Sequence, residues 1–119
     1  MAEGPKGRNN LLGIQEMKEC CKTYLDEQFG GDADIVNDIY HEYVASVAEK
    51  LVEAGEALGS SSWDKLDKVA HAVKGNALAA GDTDMADTAI ALRSAAKLAD
   101  SQEAARLIAR LRELETLLA

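Results

Sequence analysis

The chain has 119 residues, with 13 Lys and Arg against 21 Asp and Glu, for a formal net charge of −8. At 47% hydrophobic and 29% charged residues, that length suits one folded domain rather than a disordered chain. The acidic balance argues against nucleic acid or anionic membrane as the main partner, since both demand a basic face. Aromatics make up 4% and the single proline is Pro5. A chain so free of proline, rich in Ala and Leu and poor in β-branched aromatic runs, favours an all-α domain.

Residues 1–10 are Gly, Pro, Asn and charge, and read as a flexible tail without the apolar core of a signal peptide. Residues 11–119 read as a single helical-bundle domain. A first helix is expected from Leu11 to Leu25, with Ile14, Met17, Cys21, Tyr24 and Leu25 at helical spacing. Gly30-Gly31 ends it, and Asp32 or Asp34 caps the second, from about Ala33 to Leu58. The apolar stripe of that helix is Val36, Ile39/Tyr40, Tyr43/Val44, Val47, Leu51 and Leu58. After Gly59-Ser60-Ser61-Ser62, Ser62 is the expected N-cap of a third helix, Trp63 to Ala80, with Gly81 as its C-cap. Asp82-Thr83 opens a fourth helix running to about Ala99, with Met85, Ala89, Leu92, Ala96 and Ala99 inward. Asp100 with Glu103 three residues on forms a capping-box-like start to the last helix, which carries Leu107, Ile108, Leu111, Leu114 and Leu118. Short turns between long helices make an antiparallel up-down four-helix bundle with an additional N-terminal helix.

No stretch approaches the roughly 18 consecutive apolar residues of a membrane span. Cys20 and Cys21 are sequence neighbours, which rarely bridge each other, and no second cysteine cluster completes a metal site. Two reduced thiols on a helix fit a cytoplasmic protein.

The third helix departs from the pattern of the others. At about 100° per residue, Leu66, Val69, Ala70, Val73 and Ala77 form its core face. His71 then points to solvent, with Leu78 on nearly the same outward line, Lys74 and Gly75 flanking it, and Asp67 one turn back. Exposed His, Leu and Lys are each ordinary. A glycine inside a helix costs about 1 kcal/mol relative to alanine, and Gly75 makes sense where something must approach the backbone beside His71.

The string His71-Ala-Val-Lys74-Gly75-Asn-Ala-Leu78-Ala-Ala-Gly81 resembles the phosphoacceptor helix of histidine-containing phosphotransfer (HPt) domains: His, Lys at +3, Gly at +4 and a closing Gly at +10. Phe29-Gly30-Gly31-Asp32 before a long acidic helix through Tyr43, and Met85-Ala86 with Leu92 in the fourth helix, are similar to the family as well. The likeness runs from about Tyr24 to Leu118. Asn76 stands where many members carry Ser or another small residue, and Arg93 where an acidic or polar residue is more usual.

The resemblance implies a phosphorelay carrier with no kinase domain of its own. A phosphoryl group would arrive on His71 from the aspartate of a hybrid sensor kinase's receiver domain and leave to the aspartate of a response regulator. Neutral imidazole is a competent nucleophile, Lys74 would stabilise charge on the transferring oxygens, and Gly75 would give the partner access. Asn76 and Arg93 are secondary candidates for phosphate contacts, and Asp67 or a neighbouring side chain is a candidate for orienting the imidazole. Leu78 and the small apolar residues around it would form the docking patch for a transient partner. The chain is expected to need no cofactor, the divalent metal belonging to the receiver, and to work as a monomer and free-standing shuttle. His41, without a following Lys-Gly pair, is the rival acceptor and reads as a surface or boundary histidine. Two other readings compete. A non-transferring helical adaptor that binds receiver domains would be expected to have lost the acceptor, whereas His71, Lys74 and Gly75 are all present. An enzyme lacks support: there is no Gly-rich nucleotide loop, and the two histidines do not make a di-metal bundle site.

Overall fold

Among the described residues, five helices follow one another: α1 (Glu19–Gln28), α2 (Ala33–Gly59), α3 (Trp63–Ala80), α4 (Thr83–Lys97) and α5 (Ser101–Glu115). They come from a computed structural model in which residues 17–118 are described. α3 packs against α2 and α4, and α5 packs against α4 and back onto α2, closing a ring of four. Two cross-links give the direction of the closure. The Tyr40 hydroxyl, early in α2, donates to the carbonyl of Leu118, and Arg112 Nη2 donates to the carbonyl of Leu51 at 3.4 Å. Residues climbing α2 therefore meet residues descending α5. The fold is an all-α, antiparallel up-down four-helix bundle, with α1 as an additional N-terminal helix lying against α2 and α3.

The core explains the spacing read from the sequence. Leu51, Leu66, Val73, Met85, Leu92, Leu111 and Leu114 are buried, and between them lie buried alanines such as Ala54, Ala70, Ala77, Ala89 and Ala96. Small side chains at the crossings let the helix backbones approach closely, and the leucines fill the space left. Truncating one such leucine to alanine costs about 2–5 kcal/mol.

Four helices end in the same way. Gly30, Ser61, Gly81 and Ala99 each take a left-handed conformation. The following amide bonds back to a carbonyl five residues earlier: Gly31 to Asp26, Ser62 to Ala57, Asp82 to Ala77, Asp100 to Ala95. This Schellman closure satisfies carbonyls that would otherwise be orphaned. At Ser61 and Ala99 it carries the strain of a non-glycine residue at positive φ, on the order of 1 kcal/mol.

Several local expectations are corrected. The first helix does not run from Leu11 to Leu25. Met17 and Lys18 precede it, because the Lys18 amide donates to the Tyr40 hydroxyl in an extended conformation. α1 then continues to Gln28, until the glycines allow the turn; residues 1–16 lie outside the described residues, and with them the expected tail and Ile14. Asp32 and Asp100 do cap, accepting from Ile35 and Glu103 respectively. Ser62 does not: its hydroxyl pairs with that of Ser60. α4 starts at Asp82-Thr83 as expected, with the Asp82 carboxylate turned into the bundle rather than onto the helix end. Ala99 is exposed rather than inward, because the left-handed turn that closes α4 swings it out.

Candidate functional site

α3 is held rigidly on its inner face and open on its outer one. Leu66, Val69, Ala70, Val73 and Ala77 are buried beneath, while His71, Gly75 and Leu78 are exposed and Lys74 is half-buried on the far side. The exposed face is the same run of residues that breaks the sequence pattern.

His71 is not alone there. From α4, Arg93 reaches across to both a carboxylate and the imidazole of α3. Its Nε donates to Asp67 Oδ1 at 2.8 Å, and its Nη1 lies 3.0 Å from His71 Nδ1. A guanidinium has donors and no acceptor, so Arg93 is the donor to His71 and Nδ1 supplies the lone pair. In a neutral ring the hydrogen then sits on Nε2. The hydrogen-bonded Arg93 guanidinium holds the Asp67 carboxyl below its usual range, outweighing the cost of burial, with the charges of Arg93 and Lys97 adding to it. Asp67 raises the Arg93 guanidinium in return. Lys97 thus joins Arg93 as positive charge beside Asp67, on a protein whose net charge is −8.

The structure separates the candidate residues accordingly. Asp67 does not touch the imidazole: Arg93 stands between them, so any orienting influence of Asp67 passes through the guanidinium. Asn76 is turned away from His71, and its Nδ2 donates to Ser46 Oγ of α2 at 2.6 Å, beside a groove lined by Ile39, Tyr43 and Ala80. The helix geometry gives the reason: five residues on from His71 is most of a half-turn around the axis. Leu78 is 51% exposed, and Ile90, one turn before Arg93 on α4, is 47% exposed. His41 lies exposed on α2.

Two features near the site escape the linear pattern: the exposed Ile90, and the proximity of Lys97 to Asp67. Their signal lies in the turn. His71 and Arg93 stand nearly equidistant from Gly81-Asp82, so an antiparallel pair sets them opposite each other. Counting outward from that turn brings Ile90 level with Lys74 as well.

A model of the Hpt domain matches residues 38–119, more than half of the chain and all of α3, α4 and α5. The chain belongs to the Hpt domain family. This Hpt domain accordingly has a phosphotransfer role in two-component signalling, as a carrier rather than a kinase, and its family interacts with receiver domains. No curated protein and no solved structure matches it. Among the described residues, no helix is long and apolar enough to cross a membrane, and no three His, Cys, Asp or Glu side chains are grouped to hold a metal ion. Cys20 is exposed and Cys21 buried, neither in a disulfide.

Proposed function

We propose that His71 is the phosphoacceptor of this Hpt domain, loaded from the aspartate of a hybrid sensor kinase's receiver domain and discharged to the aspartate of a response regulator. The observation that carries this reading is Gly75. It lies inside an α-helix, it is exposed, and a Cβ built on it meets nothing within 4 Å. The fold has no need of a glycine there, and alanine would make the helix more stable. A partner whose backbone must come close beside His71 does have that need.

The surroundings fit the same role. Lys74, one turn along α3, supplies fixed positive charge for the phosphoryl oxygens as they pass between partners. Leu78 and Ile90 offer exposed apolar side chains on α3 and α4, the kind of surface a docking contact that must also release would use. The divalent ion that neutralises the phosphoryl charge is assigned to the receiver. This domain then brings a nucleophile and a lysine, and the active site is completed only in the complex.

The test is transfer from a phosphorylated receiver domain to the purified chain, with His71→Gln in parallel. The expected product is stable to alkali and labile to acid, as phosphohistidine is, and absent from His71→Gln, a loss of at least about a hundredfold. Phosphate accepted by His71→Gln at the wild-type rate would overturn the assignment.

A further inference from the structure

We propose that Arg93 is a positioning residue that latches His71 in the tautomer unable to accept phosphate, and that the same contact suits the ring once it is phosphorylated. This rests on His71 being the acceptor. The guanidinium is fixed from two sides, bonded to Asp67 Oδ1 at 2.8 Å and to His71 Nδ1 at 3.0 Å, with both ends of the bridge on one face of α3. It cannot accept a hydrogen bond. While it sits on Nδ1, the hydrogen of the neutral ring is on Nε2, the nitrogen left for a partner, and that nitrogen has no free lone pair.

Loading therefore begins with withdrawal of Arg93 from Nδ1. The ring hydrogen moves through solvent from Nε2 to Nδ1, and Nε2 attacks the phosphorus of the receiver's aspartyl phosphate. An N–P bond forms, the P–O bond to aspartate breaks, and its electron pair returns to the carboxylate oxygen. The ring loses its Nδ1 proton to water. In that product Nε2 is substituted and Nδ1 again presents a lone pair, so Arg93 returns to the bond it made before. A guanidinium on Nδ1 also keeps a proton from adding there, the addition that turns the ring into a good leaving group for hydrolysis. Arg93 thus slows loading and protects the loaded state. Asp67 takes part by holding the guanidinium during the exchange.

The experiment uses the full chain labelled with ¹⁵N, and reads the His71 tautomer by two-bond ¹H–¹⁵N correlation at a pH where imidazole is neutral. Loading from a phosphorylated receiver domain and loss of phosphate to water are timed on the same samples. Wild type should show the Nε2–H form alone. Arg93→Gln, whose amide can accept as well as donate, should show a mixture containing Nδ1–H. It should also load and hydrolyse on the order of tenfold faster, the worth of one charge-assisted hydrogen bond. Arg93→Lys keeps a donor-only cation and should restore the wild-type tautomer. An Nδ1–H ring in wild type would overturn the proposal, as would an unchanged tautomer in Arg93→Gln. Slower loading in Arg93→Gln would also overturn it and assign Arg93 to the phosphoryl oxygens instead. If wild-type His71 accepts no phosphate while the tautomer shifts as described, the acceptor assignment has failed and not the hydrogen-bond reading.

Discussion

Two carboxylates, Asp67 near the start of α3 and Asp82 just past its end, each hold a basic side chain from another part of the bundle. Their surroundings differ. The Asp82 side chain is fully buried, accepting from Lys18 Nζ at 2.6 Å and from the Tyr43 hydroxyl at 2.7 Å. The Asp67 side chain is 26% exposed, and its partner Arg93 is shared with a histidine that faces solvent. Each region also has its glycine. At Gly81, with φ of +75°, an added Cβ would run into the Tyr24 ring and Cβ, whereas at Gly75 it would meet nothing. Buried on one side and open on the other, the same types of residue serve structure at one end of the helix and exchange of partners in its middle. Water and incoming groups can compete for Arg93; nothing competes for Asp82.

The largest effect should come from breaking the buried network. Asp82→Ala leaves Lys18 and Tyr43 without their partner, and removing one member of a buried ion pair costs about 3–5 kcal/mol. Chemical denaturation should show that loss in the midpoint. Asp67→Ala, cutting a half-exposed pair, should lose less than about 1 kcal/mol. Equal losses at the two sites would dissolve the contrast between them.

A smaller effect, with a pH signature, should come from Tyr43. Burial raises its phenol above the ordinary value, and the hydrogen bond and charge of Asp82 raise it further. Burial pushes Tyr40 up to about 12, partly offset by the Lys18 amide. Burial works most strongly against the Lys18 ammonium, but the bond to Asp82 and the negative charge around it together outweigh burial and raise that group too. All three groups have folded values above their unfolded ones. Their contribution is complete below pH 10 and is lost progressively above it, that of Tyr40 as the pH passes about 12. The thermal midpoint should therefore hold steady through neutral pH and fall in that alkaline window. Tyr43→Phe should lower stability by about 1.5–3 kcal/mol at neutral pH, the range for a hydrogen bond to a charged group, and make the alkaline fall shallower. An equally steep fall in Tyr43→Phe would remove the phenol from the account.

These contrasts also mark what the sequence could reveal. His71, Gly75 and Leu78 are legible on the outer face of α3 because local periodicity alone places them there, and Gly75 stands out because glycine is costly inside a helix. Arg93 was legible as a candidate, but not as the donor between Asp67 and His71, because that depends on how α3 and α4 align across their turn. The buried role of Asp82 has no local signal for the same reason: Lys18, its partner, is 64 residues away along the chain. The left-handed turns at Ser61 and Ala99 gave no signal, since neither residue type advertises positive φ as glycine does. Helix existence followed from composition and spacing; the turns and the side chains that bridge helices are set by packing.

The smallest change is the one with the sharpest outcome. Gly75→Ala adds a single methyl group, which meets no atom of this chain and sits in a helix interior where alanine is favoured by about 1 kcal/mol. The variant should therefore be more stable than wild type by roughly 0.5–1 kcal/mol, read as a higher denaturation midpoint. On the proposed reading the same methyl stands where a receiver's backbone approaches, so transfer to His71 should slow even as stability rises. A larger side chain at the same position should slow it further without unfolding the protein, since the space on this chain's side is open. Most substitutions that harm activity through structure lower both quantities together. Opposite signs in stability and transfer separate a residue kept for the partner from one kept for the fold. If Gly75→Ala instead gains stability and transfers at the wild-type rate, the glycine does not mark the docking surface, and the proposed acceptor loses the observation that supports it most directly.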